Sequence, residues 1–182
     1  MTSTNQNIEQ LLQLCQSGNQ RAQLEIYNRY NKAMYNTALR IIKDSFKAED
    51  IMQESFLTAF TKLNTLEDAN MFGSWLKRIV INNSISYYNK TIKQNEVPLD
   101  TVIYKVEDDM CIVESEPINE KAKQILDVMK TLKSNYSLSL TLHLIEGYDY
   151  EEICEIMDIT YANCRTMISR AKESLRKKLV LN

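Results

Sequence analysis

Residues 147–179, GYDYEEICEIMDITYANCRTMISRAKESLRKKL, form the pattern that most restricts the fold of this chain. Two amphipathic segments are separated by a few residues only, which predicts two helices that meet at a tight turn. Asp149 is placed to cap the first helix, and Glu152 three residues later completes a capping-box pattern. Thr160 is placed to cap the second helix.

The second of these helices has two distinct faces. Its inner face is predicted to hold Cys164, Ile168, Ala171 and Leu175, which recur at helical spacing. The outward positions carry cationic and hydroxyl side chains, namely Arg165, Thr166, Ser169, Arg170 and Lys172. Such a helix after a short helix and a turn is suited to the major groove of DNA. An ordinary helical hairpin with a solvated charged face fits the same pattern. Other parts of the chain must therefore distinguish between these two interpretations.

The composition favours helices throughout. With 3 Gly and 2 Pro in 182 residues, and no strand-like alternation, the chain is predicted to be all-α. Neither a run of 18 apolar residues nor a secretory signal is found, so we expect a cytoplasmic protein. The 4 cysteines form no C-x-x-C pair and are expected to stay reduced, and one His cannot complete a usual zinc site. We therefore expect no metal and no cofactor.

Charge divides the chain into three parts. Residues 1–93 carry a net charge of +3, residues 94–120 a net charge of −7, and residues 121–182 a net charge of +2. The acidic part contains both prolines and shows no sustained helical period, which is typical of a flexible linker. The prediction is two small helical domains, an N-terminal helical bundle and a C-terminal helix-turn-helix domain, joined by this acidic linker. Its acidic residues could equally serve only as a solvated spacer.

The N-terminal part is predicted to contain helices at 8–17, 20–43, 47–63 and 71–90. The inner stripe of the second is expected to hold Leu24, Tyr27, Tyr30, Met34, Ala38, Ile41 and Ile42. The third helix has an acidic and amide face near its start, made of Glu49, Asp50, Gln53 and Glu54. Carboxylates there are favourable with the helix dipole, and they also suit docking of a basic partner helix.

The fourth predicted helix combines aromatic, amide and cationic groups. Outside its expected buried stripe lie Phe72, Trp75, Lys77, Arg78, Asn82, Asn83, Tyr87, Tyr88 and Lys90. Aromatic faces that stack on unpaired bases, beside cations that hold phosphates, suit single-stranded nucleic acid. The alternative is that Phe72 and Trp75 belong to the core and that the tyrosines only border it.

Three segments together resemble one family. AEDIMQESFL at 48–57 and FGSWLKRIVINNSISYYNK at 72–90 resemble the second region of bacterial RNA polymerase sigma factors, and 146–179 resembles their fourth region. The short length, with only these two regions and a linker, is similar to the extracytoplasmic-function (ECF) class. The order of the two motifs makes the resemblance far more specific than either motif alone.

The resemblance implies a role for each surface. The D-x-x-Q-E pattern of the family falls on Asp50, Gln53 and Glu54, which implies docking on the clamp helices of the largest subunit of core RNA polymerase. Residues 70–90 are then expected to capture and melt the minus-ten promoter element. The outward side chains of the last helix are expected to read the minus-thirty-five element as a duplex, while the fourth region also contacts the polymerase flap. An anti-sigma protein is a further partner that the resemblance allows.

The chain departs from the family pattern in the helix-turn-helix. Asp158 stands where the family usually has Gly in the turn. Ala162, Asn163 and Cys164 replace a small residue followed by Thr-Val, and Met167 stands where a basic residue is common. These changes are compatible with the fold, and we expect them to alter the DNA sequence preference that the resemblance implies. Leu132-Lys133 also lacks the Pro that usually opens the fourth region.

The sequence favours a non-catalytic promoter-specificity subunit over its alternatives. One alternative is a helix-turn-helix regulator whose N-terminal half is a sensor or dimerisation domain and which binds palindromic DNA alone as a dimer. Another is an all-helical adaptor without a nucleic-acid role. A sensor domain needs neither the acidic third helix nor the Tyr- and Lys-rich fourth helix. An enzyme is the least favoured class, because the chain has no Gly-rich phosphate loop and no nucleophile motif.

Overall fold

A computed structural model describes residues 7–94 and 120–180, which form two compact units. The first unit consists of α1 (Ile8–Gln16), α2 (Gln20–Ile42), α3 (Ser45–Thr61) and α4 (Phe72–Gln94). The second consists of α5 (Glu120–Lys130), α6 (Ser134–Leu140), α7 (Tyr150–Met157) and α8 (Tyr161–Val180). All regular elements in these residues are helical, which confirms the all-α prediction. The acidic segment at 94–120 lies outside the described residues except at its two ends.

Short polar side chains set the starts of the helices in the first unit. The side chain of Asn19 accepts hydrogen bonds from the backbone amides of Arg21 and Ala22, which begins α2. Asp44 accepts from the amide of Lys47 over 3.0 Å and begins α3. The chain between α2 and α3 reverses at Lys43, which has a left-handed backbone with φ of 59°. α3 ends at Thr61, and two short 3-10 turns lead to α4.

The core of the first unit lies between α2, α3 and α4. Apolar side chains from all four helices are fully buried there, among them Ile26, Ala38, Phe56 and Leu76. The predicted inner stripe of α2 is wrong at Leu24, which is 59% exposed. Ala22 and Ile26 take the inner positions instead, since they are four residues apart on one side of α2, and Leu24 lies two residues from each of them on the other side.

The second unit builds its core on α8. Ala171 and Leu175 pack against Val128, Met129 and Leu140 from α5 and α6. The ammonium of Lys178 donates to the carbonyl oxygen of Thr131 over 2.8 Å and to its hydroxyl over 3.0 Å. This contact satisfies a carbonyl at the end of α5 and fixes it against the end of α8.

Cysteines in the described residues are free thiols, and burial keeps two of them protonated. Burial raises the pKa of Cys15 and that of Cys164 to about 11. Cys154, which faces Cys164 from α7, is half-buried. Cys111 lies outside the described residues. The two buried thiols therefore act as small apolar core groups at neutral pH.

No helix in the described part of the chain combines the length and the hydropathy that crossing a membrane requires.

Candidate docking and nucleic-acid interfaces

The acidic face predicted on α3 is fully accessible. Asp50, Gln53 and Glu54 are all exposed, and Asp50 makes only a surface ion pair with Lys47, at 3.3 Å. The amide of Gln53 donates to the carboxylate of Glu49, also over 3.3 Å. Exposed pairs of this kind contribute less than about 1 kcal/mol, so a partner can displace them at low cost.

Two large apolar side chains that were not predicted for this surface flank the acidic residues of α3. Phe46 is 80% exposed and Leu57 is 70% exposed. Their spacing from Asp50 and Gln53 follows the three- and four-residue steps that keep side chains on one helical face. We call Phe46, Asp50, Gln53, Glu54 and Leu57 together the α3 face. The signal in the sequence was an apolar residue at each end of a polar stripe.

α4 carries a surface of cations and amides, with no carboxylate along its length. Arg78 and Asn82 are exposed and lie four residues apart, and the same stripe continues through Ser86 and Asn89. Lys90 is also exposed, whereas Trp75, Lys77, Tyr87 and Tyr88 are half-buried. The α4 surface is defined here as Trp75, Lys77, Arg78, Asn82, Ser86, Tyr87, Tyr88, Asn89 and Lys90. Ser86 and Asn89 were missed by the sequence analysis, although the four-residue step from Asn82 marks them.

Two residues predicted for this nucleic-acid surface point into the protein instead. Phe72 is completely buried, and its ring meets Tyr30 edge-on with centroids 5.3 Å apart. A ring without an exposed face cannot stack on a base, so Phe72 is corrected to a core residue. Asn83 is half-buried, and its amide donates to the hydroxyl of Ser55 on α3 over 3.0 Å. Trp75 packs beside Phe72 at 6.0 Å and keeps part of its surface exposed.

Close contact between α4 and α2 explains the inward turn of Phe72. A Cβ atom at Gly73 would lie 3.2 Å from the Tyr30 ring, so the missing side chain lets the start of α4 approach α2. Phe72 then enters the space between the two helices. The partly exposed ring of Trp75 and the rings of Tyr87 and Tyr88 are the aromatic groups left for stacking on this surface.

The helix-turn-helix forms as predicted. Asp149 accepts from the amide of Glu152 over 2.8 Å, and the Glu152 carboxylate accepts from the amide of Asp149 over 3.0 Å, completing the capping box. α7 ends at Met157, and the next residue, Asp158, has a left-handed backbone with φ of 53°. The hydroxyl of Thr160 accepts weakly from the amide of Asn163, over 3.4 Å, at the start of α8.

The predicted inner and outer faces of α8 are both found. Cys164, Ile168, Ala171 and Leu175 are buried. Arg165, Thr166, Ser169 and Arg170 are exposed, and Lys172 is half-buried. These five outward residues are called the α8 face. The hydroxyl of Thr166 donates to the carbonyl of Ala162 over 2.8 Å, which leaves its oxygen able only to accept from a further group.

An aromatic series positions the start of α8. His143 lies 5.1 Å from Tyr150, and Tyr150 lies 6.2 Å from Tyr161 at the first position of α8. The imidazole of His143 is also hydrogen-bonded at Nδ1 to the carbonyl of Tyr148 over 3.1 Å. These contacts fix the first turn of α8 against the segment that precedes α7.

Two family models match the chain, one on each unit. Sigma-70 region 2 matches residues 26–93, and Sigma-70, region 4 matches residues 122–175. The first match covers α2 to α4, and the second covers most of α5 to α8. The α3 face and the α4 surface thus fall within region 2, and the α8 face falls within region 4.

Curated proteins of the ECF class are similar over nearly the whole chain. The ECF RNA polymerase sigma factor SigM of Bacillus subtilis is 29% identical over 84% of this chain and 91% of its own length. The ECF RNA polymerase sigma factor SigW of the same organism is 27% identical over 94% of this chain and 96% of its own length. The ECF RNA polymerase sigma-E factor of Escherichia coli is 26% identical over 93% and 92% of the two chains.

Solved structures show the same fold. The sigma factor RpoE of Bartonella quintana, solved with the anti-sigma factor NepR, matches with a TM-score of 0.58 and 19% identity over 87% of this chain and 96% of its own. CnrH, solved with the cytosolic domain of CnrY, matches with a TM-score of 0.53 and 19% identity over 94% and 96%. With regions 2 and 4 both present in order, and with these relatives along its length, the chain belongs to the ECF class of the sigma-70 family.

Proposed function

We propose that this chain binds core RNA polymerase, directs it to specific promoters and helps to open the duplex, without a catalytic step of its own. The observation that carries the proposal is the contrast between its surfaces. α8 holds six cationic residues and one carboxylate, and α4 holds four cationic residues and no carboxylate. The chain as a whole nevertheless has a net charge of −2. The α3 face, by contrast, presents two carboxylates and an amide. A protein partner and a nucleic-acid partner are thus accommodated on separate helices.

The α3 face is proposed to dock on the clamp helices of the largest polymerase subunit. Carboxylates of Asp50 and Glu54 can pair with arginines of a partner helix in bidentate geometry. Phe46 and Leu57 supply exposed apolar area at the two ends of the stripe, and removing apolar area from water favours association. The acidic pair then provides orientation and the apolar pair provides affinity.

The α8 face is proposed to read the minus-thirty-five element as an intact duplex. Arg165 and Arg170 are exposed and make no ion pair within the described residues. Guanidinium groups in a recognition helix can reach guanine edges or phosphates in the major groove. α7 and the capping box set the approach of this helix, because they fix its start relative to the rest of the unit.

The α4 surface is proposed to hold the separated strand of the minus-ten element. Its cations can follow the phosphates, and the accessible parts of Trp75, Tyr87 and Tyr88 can stack on bases that have left the helix. α8, in contrast, has no aromatic residue after Tyr161. The two units are therefore suited to two different states of the same promoter.

Splitting recognition between two units has a physical consequence. Each unit alone presents a modest basic surface and binds DNA weakly, with strong dependence on salt. Once both are attached to polymerase, binding of one raises the effective concentration of the other. The holoenzyme is therefore expected to be specific where the free chain is not. Since core polymerase works in the cytoplasm, we place this activity there.

We also propose that an anti-sigma protein regulates this chain. The structurally similar RpoE is bound to the anti-sigma factor NepR, although 19% identity carries the fold alone to this chain. A protein that covers the α3 face prevents docking on polymerase. In that complex the chain is inactive while its fold is unchanged.

Direct titration of core polymerase tests the docking step. The chain, labelled with a fluorophore, is titrated with purified bacterial core polymerase, and anisotropy reports binding. We expect saturable binding that the double variant Asp50→Lys with Glu54→Lys abolishes, because two charges change sign on one face. The matched control is Glu9→Lys with Glu25→Lys, which alters the net charge equally on α1 and α2.

Circular dichroism shows whether both double variants keep the helicity of the original chain. Equal binding by the α3 double variant and the control contradicts docking through the α3 face. No binding by the original chain contradicts the proposed function as a whole.

A further inference from the structure

Asn163 occupies the third position of α8, in the turn where recognition helices approach base edges. Its side chain is exposed. Its backbone amide donates to the hydroxyl of Thr160 over 3.4 Å. Its side-chain amide has no hydrogen-bond partner within the described residues.

The fold gives no reason for an asparagine at this position. Thr160 already serves as the cap, and Cys164 supplies the buried contact of this turn. Within a helix, asparagine is less favourable than alanine by roughly half a kcal/mol. Nothing in the packing of α8 offsets that difference, since the side chain points to solvent.

Asn163 shares a stripe with two residues of the α8 face. Positions 163, 166 and 170 are separated by three and four residues and therefore lie along one side of the helix. The hydroxyl of Thr166 is held by the carbonyl of Ala162, and Arg170 carries a guanidinium. Asn163 is thus the group on this stripe that can both donate and accept through one planar end.

We propose that Asn163 reads an adenine in the upstream promoter element. An amide accepts from N6 and donates to N7 of adenine at the same time, and no other base presents that pair of atoms in the major groove. The inference rests on the proposed function of α8 as the duplex reader. It adds a specificity residue that the family pattern does not supply, since Thr is usual at this place.

Selection from a promoter library tests the inference. Holoenzyme reconstituted from core polymerase and this chain binds fragments with a fixed downstream element and a randomised upstream element, and the bound fragments are sequenced. We expect the original chain to prefer adenine at one position by about tenfold, the discrimination typical of a bidentate pair. Asn163→Ala flattens that position and keeps the preferences at all others.

A second variant and a control separate hydrogen bonding from folding. Asn163→Asp keeps the shape but loses the donor to N7, so it also loses the adenine preference. Asn28→Ala, at an exposed position of α2, leaves every position unchanged. Thermal denaturation of all variants confirms that the second unit stays folded.

Three results overturn the inference. The first is an unchanged profile in Asn163→Ala, and the second is a uniform loss of preference at all positions. The third is that the position flattened in Asn163→Ala is one at which the original chain prefers a base other than adenine. If the original holoenzyme selects no upstream sequence at all, the duplex-reading role of α8 fails, and the inference fails with it.

Discussion

The side-chain amide of Asn83 on α4 donates a hydrogen bond to the hydroxyl of Ser55 on α3, over 3.0 Å. Ser55 in turn donates to the carbonyl of Ile51 over 2.6 Å. This polar contact joins the helix proposed to dock on polymerase to the helix proposed to hold the melted strand. Asn82, the neighbour of Asn83 and about a quarter of a turn further round α4, is exposed.

The two adjacent asparagines are therefore expected to behave differently. Asn83→Ala removes a half-buried hydrogen bond and is expected to lower the free energy of unfolding of the first unit by about 1 kcal/mol. Asn82→Ala is expected to change stability by less than about 0.5 kcal/mol, as exposed substitutions usually do, while impairing strand opening. Both expectations are checked by measuring thermal denaturation and promoter opening on both variants. Equal effects of both variants on both measurements contradict them.

The cations of α4 are expected to act after the closed complex has formed. Lys77→Ala with Arg78→Ala should leave binding of duplex promoter largely unchanged and impair strand opening, because single-strand phosphates are reached only after melting. Permanganate reactivity of unpaired thymines measures the opening. A template with a pre-melted bubble should partly restore activity. Equal loss on duplex and bubble templates identifies these cations as general phosphate contacts instead.

The arginines of the α8 face are expected to contribute to promoter binding, whereas the α4 cations are expected to contribute to strand opening. Arg165→Ala or Arg170→Ala should weaken promoter binding by about 1–3 kcal/mol if the residue reads a base, and the loss should depend on the base at one position. Lys177→Ala is a suitable control, because this cation pairs with Glu173 near the end of α8 at 2.7 Å. Binding assays on promoter variants at fixed salt provide the measurement. A small loss that is equal on all promoters indicates phosphate contact, and no loss at either arginine contradicts DNA reading by α8.

Asp158 is expected to reduce the stability of the helix-turn-helix. Its left-handed backbone, with φ of 53°, disfavours any residue with a Cβ atom, and its carboxylate lies at the negative end of α7. Asp158→Gly should raise the free energy of unfolding of the second unit by about 1 kcal/mol. Asp158→Asn, which removes only the charge, should give a smaller gain. Chemical denaturation of the three proteins checks the order, and a loss of stability in Asp158→Gly contradicts it.

Local signals in the sequence predicted most of the fold. The helices follow from three- and four-residue apolar spacing, and Asp44 and Asp149 mark two helix starts because their side chains bind backbone amides that have no helical partner. The left-handed turn at Asp158 was indicated by the resemblance, because the family usually has Gly at this place. All of these depend on residues close in sequence.

The direction of individual side chains on α4 could not be predicted in the same way. Phe72 and Asn83 both lie at positions compatible with an outward face, but α4 packs against α2 and α3 at once and buries a wide arc. The missing side chain of Gly73 and the hydroxyl of Ser55 decide which residues turn inward. Both are contacts between distant parts of the chain, which periodicity within one helix does not contain.

Promoter-dependent transcription with purified components tests the central claim most directly. Core RNA polymerase, with and without this chain, is given fragmented genomic DNA, and the 5′ ends of the transcripts are sequenced. The account predicts new start sites that appear only with the chain and share an upstream and a downstream element. It also predicts that Asp50→Lys with Glu54→Lys removes these sites. Initiation that is the same with and without the chain contradicts the assignment as a promoter-specificity subunit.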